Sequence, residues 1–188
     1  ACLFQPFIEL WVGSQLLLEA NILFVILINF YLNGMRKTVL TFREAMGLYW
    51  YDRYKPIFES IINLIASIVL ALRFGFVGIF IGTTISCLTT SFWVEPYVLC
   101  KYGFKNTYLT IGLYFKQIAT YSCLMVGDLL ICLYITGKVK IGGITGFIIQ
   151  SVIAILLSNL ILIIFLGKTK YFKWYMDVLF RLIKRIIG

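Results

Sequence analysis

Residues 57–72 read IFESIINLIASIVLAL; after the turn FGFVG a second apolar run, IFIGTTISCLTTSFWVEPYVL, covers residues 79–99. Neither run alternates polar with apolar residues, so neither reads as a strand of a membrane barrel. Each lies close to the roughly 20 helical residues needed to cross a hydrocarbon layer of about 30 Å. Pro56 stands where the first run begins, which suits the preference of proline for the first turn of a helix. The pair predicts two transmembrane helices joined by a tight turn.

Further runs of the same kind lie on both sides: LLLEANILFVILINFYLNG at 16–34, and spans at about 110–136 and 143–166. The chain of 188 residues is 61% hydrophobic and only 13% charged, with a mean hydropathy of +0.95. A soluble domain is about a quarter charged. The expected fold is therefore all-α, a polytopic transmembrane helix bundle of five complete spans. ACLFQPFIELWVG has no initiator Met and no basic n-region, so it is not a signal peptide and reads as the end of a preceding helix. The chain is expected to be part of a longer membrane protein, with the bundle over residues 1–167 and a basic tail over 168–188.

Composition removes several chemistries. There is no histidine, which excludes His-based triads, HExxH zinc sites and imidazole proton relays. Cys2, Cys87, Cys100, Cys123 and Cys132 show no CxxC spacing and sit singly in apolar runs, as small hydrophobes do. No metal site, no cofactor and no catalytic residue is expected.

Polar residues within the spans carry more information. Asn29, Asn33, Arg36 and Arg43 fall at i, i+4, i+7 and i+14, with Lys37 and Glu44 beside the last two. No proline interrupts residues 34–51, so one helix over about 18–49 is expected; a break after Arg36 and Lys37 is the alternative. A cation facing lipid at mid-bilayer costs at least about 2.5–3.5 kcal/mol, so such a stripe faces protein or water. It either lines a cavity, or consists of snorkelling cations with Glu44 neutralising Arg43. Asn63, beside Glu59 and Ser67 on the next helix, lines the path or bonds a neighbouring helix. Gly78, Gly82, Ser86 and Thr90 form a small-residue line for close helix packing, and Gln150, Ala154 and Ser158 read likewise. Asp128 is a candidate ion-coupling group, or a partner of Lys116.

The tail GKTKYFKWYMDVLFRLIKRIIG places Phe172, Tyr175, Leu179, Leu182 and Ile186 at helical spacing, opposite Lys173, Asp177, Arg181 and Lys184. That pattern predicts an interfacial helix lying on anionic membrane lipids. With five spans, one side carries Arg53, Lys55, Lys101, Lys105, Lys168, Lys170, Lys173, Arg181, Lys184 and Arg185, and the other only Arg73, Lys138 and Lys140. The excess of basic residues puts the tail in the cytoplasm. The net charge of +9 is thus accounted for by topology and lipid contact, without nucleic acid.

The block NLIASIVLALRFGFVGIFIGTTIS at 63–86 resembles a hallmark of the Wzx-type polysaccharide (O-antigen and capsule) flippases, members of the MATE-like multidrug/oligosaccharidyl-lipid/polysaccharide exporter superfamily. Asn63, Leu64, Ser67, Leu70, Gly75, Gly78, Gly82, Thr83 and Ser86 carry the resemblance. FREAMGLYWYDRYKPIFE resembles the family's approach to that helix, and FIELWVG its segment leaving the seventh helix. The resemblance covers about residues 7–105. It implies the C-terminal bundle of a larger transporter whose N-terminal bundle completes a central cavity, in a bacterial cytoplasmic membrane.

The expected function is export of a polyprenyl-diphosphate-linked oligosaccharide by alternating access. Arg36, Lys37 and Arg43 would meet the diphosphate, and Asn29, Asn33 and Asn63 would line the path for sugar hydroxyls. A drug or cation antiporter of the same superfamily is the first alternative. A membrane enzyme acting on a polyprenyl-linked glycan is the second.

Overall fold

The computed structural model describes residues 2–104, 107–139 and 143–187. Lys105 and Lys140, counted above for orientation, lie outside the described residues, as does the side chain of Ile186. Among the described residues seven helices follow one another: α1 (Phe4–Trp11), α2 (Ala20–Ala45), α3 (Lys55–Phe74), α4 (Phe76–Gly103), α5 (Thr107–Thr136), α6 (Gly143–Leu166) and α7 (Lys170–Ile187). No strand occurs among the described residues. Among the described residues, five helices, α2 to α6, are long and apolar enough to cross a membrane. The all-α bundle expected from the apolar runs is the fold.

α2 passes unbroken through Gly34, Arg36 and Lys37 and is a single helix, shorter than expected, ending at Ala45. Its stop is Gly47, whose φ of +66° puts it in the left-handed region and whose N–H bonds the Glu44 carbonyl at 3.1 Å. This is the usual role of glycine after a helix C-terminus. A short 3-10 turn over Leu48–Trp50 then leads into α3, with Pro56 in its first turn.

The chain divides into two compact units, one of residues 17–123 and one of residues 2–16 with 124–188. In the first, α3 and α4 form a tight hairpin around Gly75. Gly78, Gly82, Ser86 and Thr90 are all buried. A Cβ on Gly82 would lie 2.6 Å from the Ser67 backbone nitrogen, and one on Gly78 would lie 2.6 Å from that of Ala71. The small residues thus remove the side-chain layer that would hold the helices apart.

α4 is irregular. Its hydrogen bonding widens to π turns over Cys87–Ser91 and Leu99–Gly103, with Pro96 inside the helix between them. Proline has no N–H to give to the preceding turn, and local π adjustments accommodate such losses. Val39, Leu48, Val98 and Leu99 form the buried apolar core of this unit, with Val94 and Tyr114 packed against it. Many other large apolar side chains, such as Phe30, Ile61, Leu64 and Leu72, face outward, as lipid-facing residues do.

In the second unit, α1 rests on α6, with the Phe7 and Phe147 rings 6.0 Å apart. The C-terminal half of α5 is joined to α6 by Asp128, which accepts a hydrogen bond from Ser158 at 3.0 Å.

Gly82→Ala is expected to cost about 1–3 kcal/mol through overpacking, whereas Gly34→Ala, whose added Cβ meets nothing within 4 Å, gains up to about 1 kcal/mol from helix propensity. Thermal unfolding of the detergent-purified variants checks both signs.

Candidate functional site

Three local spacings build one site. On α2, Asn29, Asn33 and Arg36 lie four and three residues apart; on α3, Lys55 and Glu59 lie four apart; on α4, Cys87, Ser91 and Glu95 lie four apart. Each set shares a face of its helix.

Glu95 is the centre. Its side chain is 0% exposed. Arg36 donates to it in bidentate fashion, Nε to Oε2 at 3.0 Å and Nη2 to Oε1 at 2.7 Å. The Lys55 ammonium bonds Oε1 from α3. Glu59 holds the same two cations more loosely, at 3.8 Å to Arg36 and 3.7 Å to Lys55. Its close contact is the Ser91 hydroxyl, which donates to it at 2.6 Å. Arg36 Nη1 also points at Asn33 Oδ1 (3.4 Å) and at Cys87 Sγ (3.2 Å).

The network holds two cations and two carboxylates, so its formal charge is zero. Arg36 and Lys55 are 11% and 8% exposed, while Glu59 is 25% exposed. Charges so far from water persist only when paired and hydrogen-bonded, and these are both. A groove of about 310 Å³ opens beside them, lined by Tyr51, Asp52, Tyr54, Lys55, Phe58, Thr89, Thr90 and Val94.

The expected path residues divide. Arg36 belongs to the network. Asn33 and Lys37 are exposed. Asn29 is used between helices, donating to the Phe80 carbonyl at 3.0 Å and accepting from Thr84 at 2.9 Å. Asn63 accepts from Ser67 on its own helix at 2.9 Å. Arg43 pairs with Asp52 in the turn beyond α2, not with Glu44, which is exposed. The Nε atom of Arg43 is buried without an acceptor among the described residues. Asp128 belongs to the second unit. Its partners are Ser158 and the Cys132 thiol, 3.7 Å away. Ser158, expected to serve packing alone, therefore also holds this carboxylate.

Sequence reasoning missed Glu95, together with the inward placement of Lys55 and Glu59. Glu95 is a further charge within the spans, inside α4. Its signal was present: Cys87, Ser91 and Glu95 run one residue behind the line of Gly82, Ser86 and Thr90, at the same spacing. Among the described residues, no group of three or more Cys, Asp or Glu side chains is placed to hold a metal ion. No protein family, curated protein or solved structure matches the chain.

Glu95→Gln leaves Arg36 and Lys55 sharing only the looser Glu59 and is expected to destabilise the fold by about 3–5 kcal/mol. Adding Lys55→Met restores charge balance and should recover most of that loss. Protein yield and unfolding temperature for the single and double variants provide the check.

Proposed function

We propose that this chain is the transmembrane bundle of an exporter that carries polyprenyl-diphosphate-linked oligosaccharide across a bacterial cytoplasmic membrane, with its C-terminal tail on the cytoplasmic side. The observation that carries the reading is the charged network inside a bundle of apolar helices. Intramembrane charges that pair with one another mark substrate or ion routes, and a diphosphate head needs cations along a polar route through about 30 Å of hydrocarbon. The resemblance of residues 7–105 to the polysaccharide flippases supports the same class.

The geometry refines the roles. Lys37 and Asn33 are the exposed polar groups beside Arg36, and so the first to meet a charged head. Glu59 is the weaker carboxylate of the network, and an arriving diphosphate would replace it at Arg36 and Lys55 while Glu95 keeps both cations in place. Arg43, held by Asp52, positions the end of α2. Asp128 with Ser158 is the candidate coupling group.

Cation antiport is the second reading. Glu59 and Glu95 add acidic groups to a wall that the α2 stripe alone presents as basic.

The deciding experiment deletes the complete gene and restores it with wild type or with Lys37→Ala, assaying surface glycan and lipid-linked oligosaccharide together. Deletion is expected to abolish surface glycan while finished lipid-linked units accumulate inside. Lys37→Ala, at normal protein level, should cut export about tenfold, the effect of losing roughly 1.4 kcal/mol of charge-assisted binding. If lipid-linked units never form, the chain acts earlier as an enzyme. If neither pool changes and cells become sensitive to cationic drugs, antiport is the function.

A further inference from the structure

α7 plays no part in the site above, and its residues are arranged for something else. α6 ends at Leu166, and the turn is closed by the Gly167 N–H on the Ile163 carbonyl (2.9 Å) and the Thr169 N–H on that of Leu166 (2.8 Å). Thr169 Oγ1 then accepts the Phe172 N–H at 3.3 Å, capping the new helix. Only a three-residue turn thus separates a helix that can cross a membrane from α7. With α6 crossing a membrane, α7 would start at the depth where α6 leaves the hydrocarbon.

At about 100° per residue, Lys170, Lys173, Arg181, Lys184 and Arg185 gather on an arc of roughly 120°. The one carboxylate on that arc is Asp177. All five cations are exposed. The remaining circumference is apolar, with Phe172, Met176 and Leu179 half-buried and Tyr175, Phe180, Leu182 and Ile183 exposed. A helix with exposed apolar side chains below and a dense cationic arc above matches the boundary of a leaflet that carries negative headgroups. Trp174, exposed among the cations, suits the headgroup level.

We propose that α7 is an anionic-lipid-binding surface: its apolar arc enters the acyl boundary while Lys170, Lys173, Arg181, Lys184 and Arg185 engage phosphate headgroups. The occupant is the leaflet that α6 has just left, because the three-residue turn holds the helix there. This inference is independent of what the bundle transports.

The test places the whole protein in lipid nanodiscs, either of phosphatidylcholine alone or with about 30 mol% phosphatidylglycerol. Hydrogen–deuterium exchange is then followed on peptides from 170–187. Exchange of the α7 amides should slow at least about tenfold in the anionic discs, and roughly 0.5 M salt should reverse most of this by screening. Removing three cations together (Lys173→Gln, Lys184→Gln, Arg185→Gln) should abolish the difference, since each is worth about fivefold in the docked ratio. Unchanged exchange in α2–α6 confirms that the variant is folded. Equal protection in both lipids, protection already complete in detergent, or protection that survives the triple variant would each overturn the proposal. The second outcome would mean that α7 packs on protein instead.

Discussion

A carboxylate with no access to water, Glu95, holds a guanidinium from one helix and an ammonium from another. In hydrocarbon this arrangement is not optional: either charge left alone would cost several kcal/mol, so the packing of α2, α3 and α4 must keep all three together. The glycine line of α4 follows from the same demand, because Lys55 and Glu59 reach Glu95 and Ser91 only if α3 lies close. Gly78 and Gly82 permit that approach by presenting backbone where a Cβ would collide. The π turns on either side of Pro96 belong to the same region of α4, and the first of them contains Cys87 and Ser91, both of which touch the network.

Neutrality changes what the basic stripe on α2 means. Read along α2 alone, Arg36, Lys37 and Arg43 make a cationic wall. In the folded unit, Arg36 is matched by Glu95 and Arg43 by Asp52, and Lys37 remains exposed. Two of the three cations are therefore ion-paired, and the stripe is not a bare positive surface. Glu95, bidentate on Arg36, is held more firmly than Glu59, which lies 3.7–3.8 Å from its cations. A network with one firm and one loose partner can have two arrangements, and coupling between distant parts of a protein requires elements of that kind.

The two compact units use polar groups differently. The first satisfies its buried charges as ion pairs, in the Glu95 network and in the Arg43–Asp52 pair. In the second, Asp128 is satisfied by a hydroxyl and a thiol. A carboxylate held by neutral groups is more demanding to keep in hydrocarbon than one held by cations.

Local spacing was enough to read the five spans, the small-residue line of α4 and the amphipathic tail, but not the stop of α2 at Ala45, which Gly47 imposes. Each is a property of one helix and its own periodicity, and hydrocarbon thickness and backbone hydrogen bonding dictate the rest. The pairing of charges is of another kind. Arg36 and Glu95 stand 59 residues apart, and no periodicity within α2 says which face of which helix it will meet. Glu44 was a neighbour of Arg43 by sequence, yet Asp52 took the bond because the chain turns back at Gly47. Sequence alone determined which residues share a face; the tertiary structure decided which faces meet. The Coulomb energy of a buried charge depends on separation in space, and that separation is fixed only when the helices pack.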